Sequence, residues 1–82
     1  MRHARSEALD ELEPLLGDLR SIPGLVERSR GVFFRRSKAF LHFHEDPSGP
    51  HADVRVGDDF ERHRVATAEE RAGLLALISS AV

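Results

Sequence analysis

The strongest constraint on the fold is a stretch rich in Phe and His, Val32–Asp46, which is followed by strict alternation of apolar and polar residues in His51–Val56. A period of two is typical of a strand that buries only one face. The segment Asp46–Pro50 between them contains two prolines and a glycine, which favour a turn. The sequence therefore predicts antiparallel strands with one apolar and one polar face.

Helical patterns flank these strands. Leucines recur at spacings of three and four in residues 5–20, which predicts a helix. Pro14 either kinks this helix or begins a second one. Thr67 and Glu70 fit a capping box at the start of a C-terminal helix. Between the helices, Leu25 and Val26 are expected to pack beneath the first helix.

The predicted strands are Gly31–Arg36, Ala39–Glu45 and His51–Val56, with Phe60–Val65 as a short fourth strand. The chain has 82 residues, a length that predicts one domain spanning residues 1–82. The predicted fold class is α+β. It is a three- to four-stranded antiparallel meander flanked by N- and C-terminal helices, in the order α-β-β-β-(β)-α.

A register can be predicted for these strands. If Arg36 pairs with Ala39 and His44 pairs with His51, the apolar side chains of three strands share one face, because a one-residue slip would scatter them. This predicted core face, covered by both helices, consists of Val32, Phe34, Leu41, Phe43, Ala52, Val54 and Val56. The opposite face consists of Phe33, Arg35, Phe40, His42, His44, His51, Asp53 and Arg55.

Three imidazoles and a carboxylate share that opposite face. Side chains two apart on a strand lie about 6.5–7 Å apart, and direct cross-strand neighbours lie about 4.5–5.5 Å apart. Zinc and related divalent ions bind His nitrogens and carboxylate oxygens. The pattern indicates a candidate metal site at His42, His44, His51 and Asp53. The competing interpretation is the ordinary wet face of an antiparallel sheet.

The same face predicts an interface. Phe33 and Phe40 would be exposed among polar residues, which is typical of an interface core with a polar rim. We therefore expect a homodimer or a protein partner that uses this surface. Its predicted residues are Phe33, Arg35, Phe40, His42, His44 and Arg55. If the two terminal helices instead lie on opposite faces of the sheet, both Phe rings are ordinary core.

A nucleic-acid interface is a third hypothesis. Its basic residues, interleaved with Phe33 and Phe40, are Arg28, Arg30, Arg35, Arg36 and Lys38. The 12 basic and 14 acidic residues give a formal charge of −2, so there is no general attraction to nucleic acid. We therefore favour a solvated charged hairpin over nucleic-acid binding.

Several classes of protein and of functional site are excluded or disfavoured by what the sequence lacks. It contains no cysteine, and hence no disulfide framework or thiolate site. It contains no apolar run of membrane-spanning length, no glycine-rich phosphate loop and no nucleophile elbow. We expect a cytoplasmic, non-enzymatic protein that needs no cofactor, unless the histidines bind a divalent metal such as zinc.

Two family resemblances arise at the hairpin. Ala39–Asp46, followed by Ser48, Gly49 and His51, resembles the histidine-rich stretch of the small "luciferase-like" domain family. This resemblance implies a fold, and His42, His44 and His51 correspond to the family's histidines. Separately, the motifs Ile22-Pro23-Gly24, Val32-Phe33 and Lys38-x-Phe40 are similar to those of a small bacterial α+β family described as YjbR-like. Members of that family are discussed as candidate DNA-binding proteins.

Overall fold

The computed structural model describes residues 2–3 and 6–82 of the chain. Helices near both ends flank a single sheet in this part of the chain. In chain order the elements are β1 (Arg2–His3), α1 (Ser6–Glu11), α2 (Glu13–Arg20), β2 (Val26–Ser29), β3 (Val32–Arg35), β4 (Lys38–Asp46), β5 (Gly49–Val56), β6 (Asp59–Arg64) and α3 (Ala68–Ala81).

The sheet is an antiparallel meander in the order β2-β3-β4-β5-β6, and the two-residue strand β1 pairs with the end of β4. The predicted α+β class is therefore confirmed, and the fourth strand that was predicted around Phe60 is β6. The meander also includes β2, which the sequence did not predict. Val26 begins β2 and is 56% exposed, whereas Leu25 packs against the core as expected.

Two-residue loops join the strands of the meander. In each of the four hairpins from β2 to β6, only two residues lie between the last paired positions of the two strands. Gly31 in the first loop has φ +79° and lies against Leu9, where an added Cβ would come within 2.8 Å of the Leu9 side chain. The positive φ favours glycine there, and an added Cβ would displace the end of the Leu9 side chain.

The helices follow the predicted sequence signals. The N-terminal helix is interrupted before Pro14, which lies in the first turn of α2, where a proline needs no amide partner. The predicted start of the first helix, residue 5, lies outside the described residues. Thr67 and Glu70 form the predicted capping box of α3. No helix in the described part of the chain is both long and apolar enough to cross a membrane.

The core is one cluster between the helices and one face of the sheet. The three helices supply mainly leucines to it, and α2 also contacts α3. Burying side chains of this size contributes roughly 1.5–3 kcal/mol each. The buried apolar residues are Leu9, Leu12, Leu15, Leu16, Leu19, Phe33, Phe40, Leu41, Phe43, Ala52, Val54, Val65, Leu74 and Ile78.

The register agrees with the prediction in the β4–β5 hairpin and differs from it in the β3–β4 hairpin. His44 pairs with His51 as predicted, so Leu41, Phe43, Ala52 and Val54 lie on the core face. In the other hairpin the turn is centred on Arg36 and Ser37. This is one residue earlier than predicted.

The shifted turn changes which Phe residues are core. Phe33 pairs with Leu41, and Phe34 pairs with Ala39, so Phe40 is the extra residue of a β-bulge. Phe33 is fully buried and Phe40 is 4% exposed, and the prediction that both are exposed is wrong. The predicted core positions Val32 and Phe34 are half-buried, and Val56 is 51% exposed.

Candidate functional site

The sheet face opposite the core cluster carries polar rows that run across three strands. His42 pairs with Asp53, which pairs with Arg62. In the neighbouring row of the same face, His44 pairs with His51, which pairs with Arg64. We call this surface the polar face, and its residues are His42, His44, His51, Asp53, Arg55, Phe60, Arg62 and Arg64.

Three of these side chains converge. One ligand atom from each of His42, His44 and Asp53 can be chosen so that all three lie within 4.8 Å of one another. His44 Nε2 lies 2.7 Å from His42 Nδ1 and 3.2 Å from Asp53 Oδ2. We call these three residues the His-His-Asp cluster. Strand geometry explains it, because His42 and His44 are two apart on β4 and Asp53 is directly opposite His42.

Asp53 is the anionic centre of the cluster. It is only 7% exposed, and Arg62 donates two hydrogen bonds to its carboxylate, of 2.8 Å to Oδ1 and 2.9 Å to Oδ2. These hydrogen bonds lower the pKa of Asp53, an effect that burial opposes and that the charges of Arg62 and of the two imidazoles reinforce. Asp53 is therefore a carboxylate at neutral pH, held in one orientation by a bidentate guanidinium.

His51, the fourth predicted ligand, does not join this group. Its Nδ1 lies 3.0 Å from the carbonyl oxygen of Gly49 and 3.7 Å from Asp46 Oδ1. Asp46 accepts hydrogen bonds from the amide and the hydroxyl of Ser48, which lower the pKa of its carboxyl group. The structure thus associates His51 with the β4–β5 turn.

The residues of the predicted interface are dispersed. Phe33 and Phe40 belong to the core, so neither ring is available to a partner. The Arg35 guanidinium lies 6.0 Å from the centre of the Phe40 ring. Arg55 donates a hydrogen bond of 2.7 Å to the carbonyl oxygen of Ala39. His42, His44 and Arg55 remain on the polar face.

Sequence reasoning missed two contributors from β6. Arg62 lies in the predicted fourth strand, for which no site residue was predicted, yet it orients Asp53. The Phe60 ring lies 5.0 Å from the His42 ring and 4.7 Å from the Arg55 guanidinium, and it is 40% exposed. The available signal was the Gly57-Asp58 turn, because pairing β6 across it places Arg62 opposite Asp53.

The arginines of the predicted nucleic-acid surface have different surroundings. Arg30 forms ion pairs with Asp10 and Glu13, whereas Arg28 lies over the Phe34 ring at 4.6 Å. The remaining three basic residues lie at the β3–β4 turn. This hypothesis therefore loses its two aromatic stacking residues and one of its five cations.

Comparisons with protein family models, with curated proteins and with solved structures return no match for this chain. The resemblances to the luciferase-like and YjbR-like families remain predictions from the sequence.

Proposed function

We propose that the protein binds a divalent transition-metal ion through His42, His44 and Asp53. The observation that carries this proposal is the convergence of one ligand atom from each of the three residues within 4.8 Å. Two imidazoles and a carboxylate form a ligand set that zinc accepts readily. Three protein ligands leave one position of a tetrahedral ion for water or for a small ligand.

The distances suit such an ion after a small adjustment. Ligand atoms bound at about 2.0–2.1 Å in a tetrahedron lie about 3.3 Å apart. His44 Nε2 and Asp53 Oδ2 are already 3.2 Å apart, whereas the two imidazole nitrogens, at 2.7 Å, must separate. At this distance one of the two nitrogens donates a hydrogen bond to the other. A metal-binding nitrogen carries no hydrogen, so the donating ring of this pair would bind the ion in its other tautomer. Metal ligands must be deprotonated, so binding should weaken as the pH falls.

Arg62 supports the proposal as an outer partner of Asp53. Each carboxylate oxygen has more than one lone pair, so the hydrogen bonds from Arg62 leave room for a metal bond. Hydrogen bonds of this kind orient metal-binding side chains, and their loss typically costs about 10- to 100-fold in affinity. We therefore expect Arg62→Gln to weaken zinc binding about tenfold.

Titration calorimetry with zinc chloride tests the site. We expect one ion to bind per chain, and His42→Gln and His44→Gln each to weaken binding by about tenfold or more. His63→Gln is the matched control, because His63 lies on β6 and is not part of the cluster. The absence of both binding heat and a thermal shift with zinc would refute the proposal, as would an equal loss in the His63 variant.

A further variant separates a three-residue site from the predicted four-residue site. His51 already contacts the Gly49 carbonyl, so we expect His51→Gln to change zinc affinity by less than about twofold. A loss as large as that of His42→Gln would restore His51 as a ligand.

Self-association through the polar face is a second candidate. The 40% exposure of Phe60 favours it, because this ring now takes the place of the predicted Phe33 and Phe40 anchors. Sedimentation velocity at micromolar concentration should show a dimer that Phe60→Glu converts to a monomer. A monomeric wild-type chain would remove this candidate. The predicted cytoplasmic location and the predicted lack of enzymatic activity likewise remain proposals.

A further inference from the structure

A cationic groove lies beside the β3–β4 turn. Its volume is about 390 Å³, within the range of about 300–1,000 Å³ that is usual for small-molecule sites. It is formed where the β3–β4 turn meets the end of β5 and the following Gly57-Asp58 turn. We call it the arginine groove, and its lining residues are Arg35, Arg36, Lys38, Ala39, Phe40, Arg55, Gly57 and Asp58.

The net charge of the arginine groove has the opposite sign to that of the whole chain. Four cations and one carboxylate give its lining a net charge of +3, whereas the chain carries −2. In the described part of the chain, none of these four cations forms an ion pair with a carboxylate. By contrast, Arg20, Arg30, Arg62 and Arg64 are all ion-paired elsewhere. Among the described residues, Asp58 is the carboxylate that lines the groove, and it offsets only one of the four positive charges.

Two guanidinium groups of the groove are positioned by the fold. Arg55 donates its Nε hydrogen to Ala39 and stacks on Phe60, and it retains further N–H donors. Arg35 lies over the Phe40 ring. Arg36 lies at the turn with φ 53°, in the left-handed region that side chains other than glycine rarely adopt. Fixed arginine side chains lose less entropy when they bind a ligand.

We propose that the arginine groove binds a small phosphate ester whose uncharged part carries hydroxyl groups. A phosphate monoester carries about −1.5 to −2 charges at neutral pH and accepts paired hydrogen bonds from guanidinium groups. The negative charge of Asp58 would repel a second anionic group on the ligand, whereas its carboxylate oxygens can accept hydrogen bonds from hydroxyl groups of the ligand. Phe40 is 4% exposed, so the groove offers no open ring face on which a base could stack.

This proposal is independent of the proposed metal site. The groove residues and the His-His-Asp cluster share no member. The binding experiment therefore includes a chelator, so that the loss of metal and the loss of phosphate binding are measured separately.

The test is an NMR titration of the isotope-labelled chain, with EDTA present. The probes are inositol monophosphate, inorganic phosphate and uncharged inositol, each added to about 10 mM. We expect inositol monophosphate to bind more tightly than inorganic phosphate, and inositol to cause no shift. The shifted resonances should be the backbone amides of residues 35–40 and 55–58 and the arginine Nε groups of the groove.

Variants separate a defined site from diffuse charge. We expect Lys38→Gln to weaken binding of inositol monophosphate by about fivefold or more, because it removes one cation of the groove. Arg28→Gln removes the same charge from an arginine that also lacks an ion pair in the described part of the chain but does not line the groove. We expect less than about a twofold effect there. Asp58→Asn should strengthen the binding of inorganic phosphate more than that of inositol monophosphate, because both gain from the lost repulsion but only the second loses a charged acceptor for its hydroxyl groups.

Three results would overturn the proposal. The first is no shift at residues 35–40 with inositol monophosphate. The second is an equal loss of affinity in the Lys38 and Arg28 variants, which would indicate diffuse charge. The third is tighter binding of a short oligothymidylate that is sensitive to Lys38→Gln, which would make the groove a nucleic-acid surface.

Discussion

The two hairpins that share β4 differ in regularity. The β4–β5 hairpin has six consecutive register pairs, and Asp46 accepts hydrogen bonds from Ser48 in its turn. The β3–β4 hairpin has a bulge at Phe40 and a turn in which both Arg36 and Ser37 have positive φ. The regular hairpin aligns the His-His-Asp cluster. The irregular hairpin places Phe33 in the core and leaves Arg36 and Lys38 at its turn. The regular and the bulged hairpins therefore position different candidate sites.

The largest expected effect tests the bulged register. Phe33→Ala removes a fully buried ring, and large-to-small changes of this kind cost about 3–5 kcal/mol in the free energy of unfolding. Urea unfolding measures this value. The control is Phe60→Ala, which truncates a ring that is 40% exposed and should cost about 1 kcal/mol.

Equal costs for the two truncations would contradict the register described for β3. If Phe33→Ala does not fold, Phe33→Leu provides the same comparison, with an expected cost of about 1–2 kcal/mol. Under the register with Phe33 on the polar face, that variant would be nearly neutral.

The next effect tests the regular hairpin. Asp53→Asn keeps the shape of the side chain but removes the charge that Arg62 binds, and it should cost about 1–2 kcal/mol at pH 6. The folded-state pKa of Asp53 is lowered, so its stabilisation is present above the unfolded pKa of about 3.9. It is lost as the pH falls through the lower folded value.

Urea unfolding at pH 6 and pH 3 should therefore show the wild-type advantage over Asp53→Asn shrinking at the lower pH. Asp59→Asn is the control, because it removes an exposed carboxylate that has no ion pair among the described residues. A wild-type advantage that is unchanged at pH 3 would show that the Asp53–Arg62 interaction does not stabilise the fold.

The smallest effect compares the two turns directly. Ser37→Gly relieves a positive φ of 67° and should raise the free energy of unfolding by up to about 1 kcal/mol. Ser48→Gly removes the hydroxyl that bonds to Asp46 and relieves no positive φ, so it should lower stability by about 0.5–1 kcal/mol. Thermal unfolding of both variants gives the signs. Changes of the same sign would mean that the turns do not differ as described.

The sequence predicted the regular hairpin well for physical reasons. Alternation in β5 and the proline-containing turn specify one register, and that register placed His42, His44 and Asp53 together. The irregular hairpin lacks a glycine or asparagine at its turn, so no local signal distinguishes Arg36-Ser37 from Ser37-Lys38 as the central pair. A one-residue difference there exchanges the faces of neighbouring residues, and the roles expected for the Phe residues changed with it.

The remaining parts of the candidate site depend on tertiary structure. Arg62 resembles any charged residue on an edge strand until β6 is paired with β5. His51 satisfies the sequence pattern for a ligand, but its side chain contacts the Gly49 carbonyl oxygen and not the His-His-Asp cluster. Side-chain direction of this kind depends on neighbours that a residue pattern does not contain.

The meander also has a consequence for the order of folding. Each strand from β2 to β6 pairs with the next one along the chain, and contacts so local in sequence permit rapid folding. The His-His-Asp cluster lies within a single hairpin, a unit that forms in about 1–10 μs in isolation. The candidate metal ligands are therefore aligned by strand pairing that is local in sequence, and no pairing between distant parts of the chain is needed to bring them together.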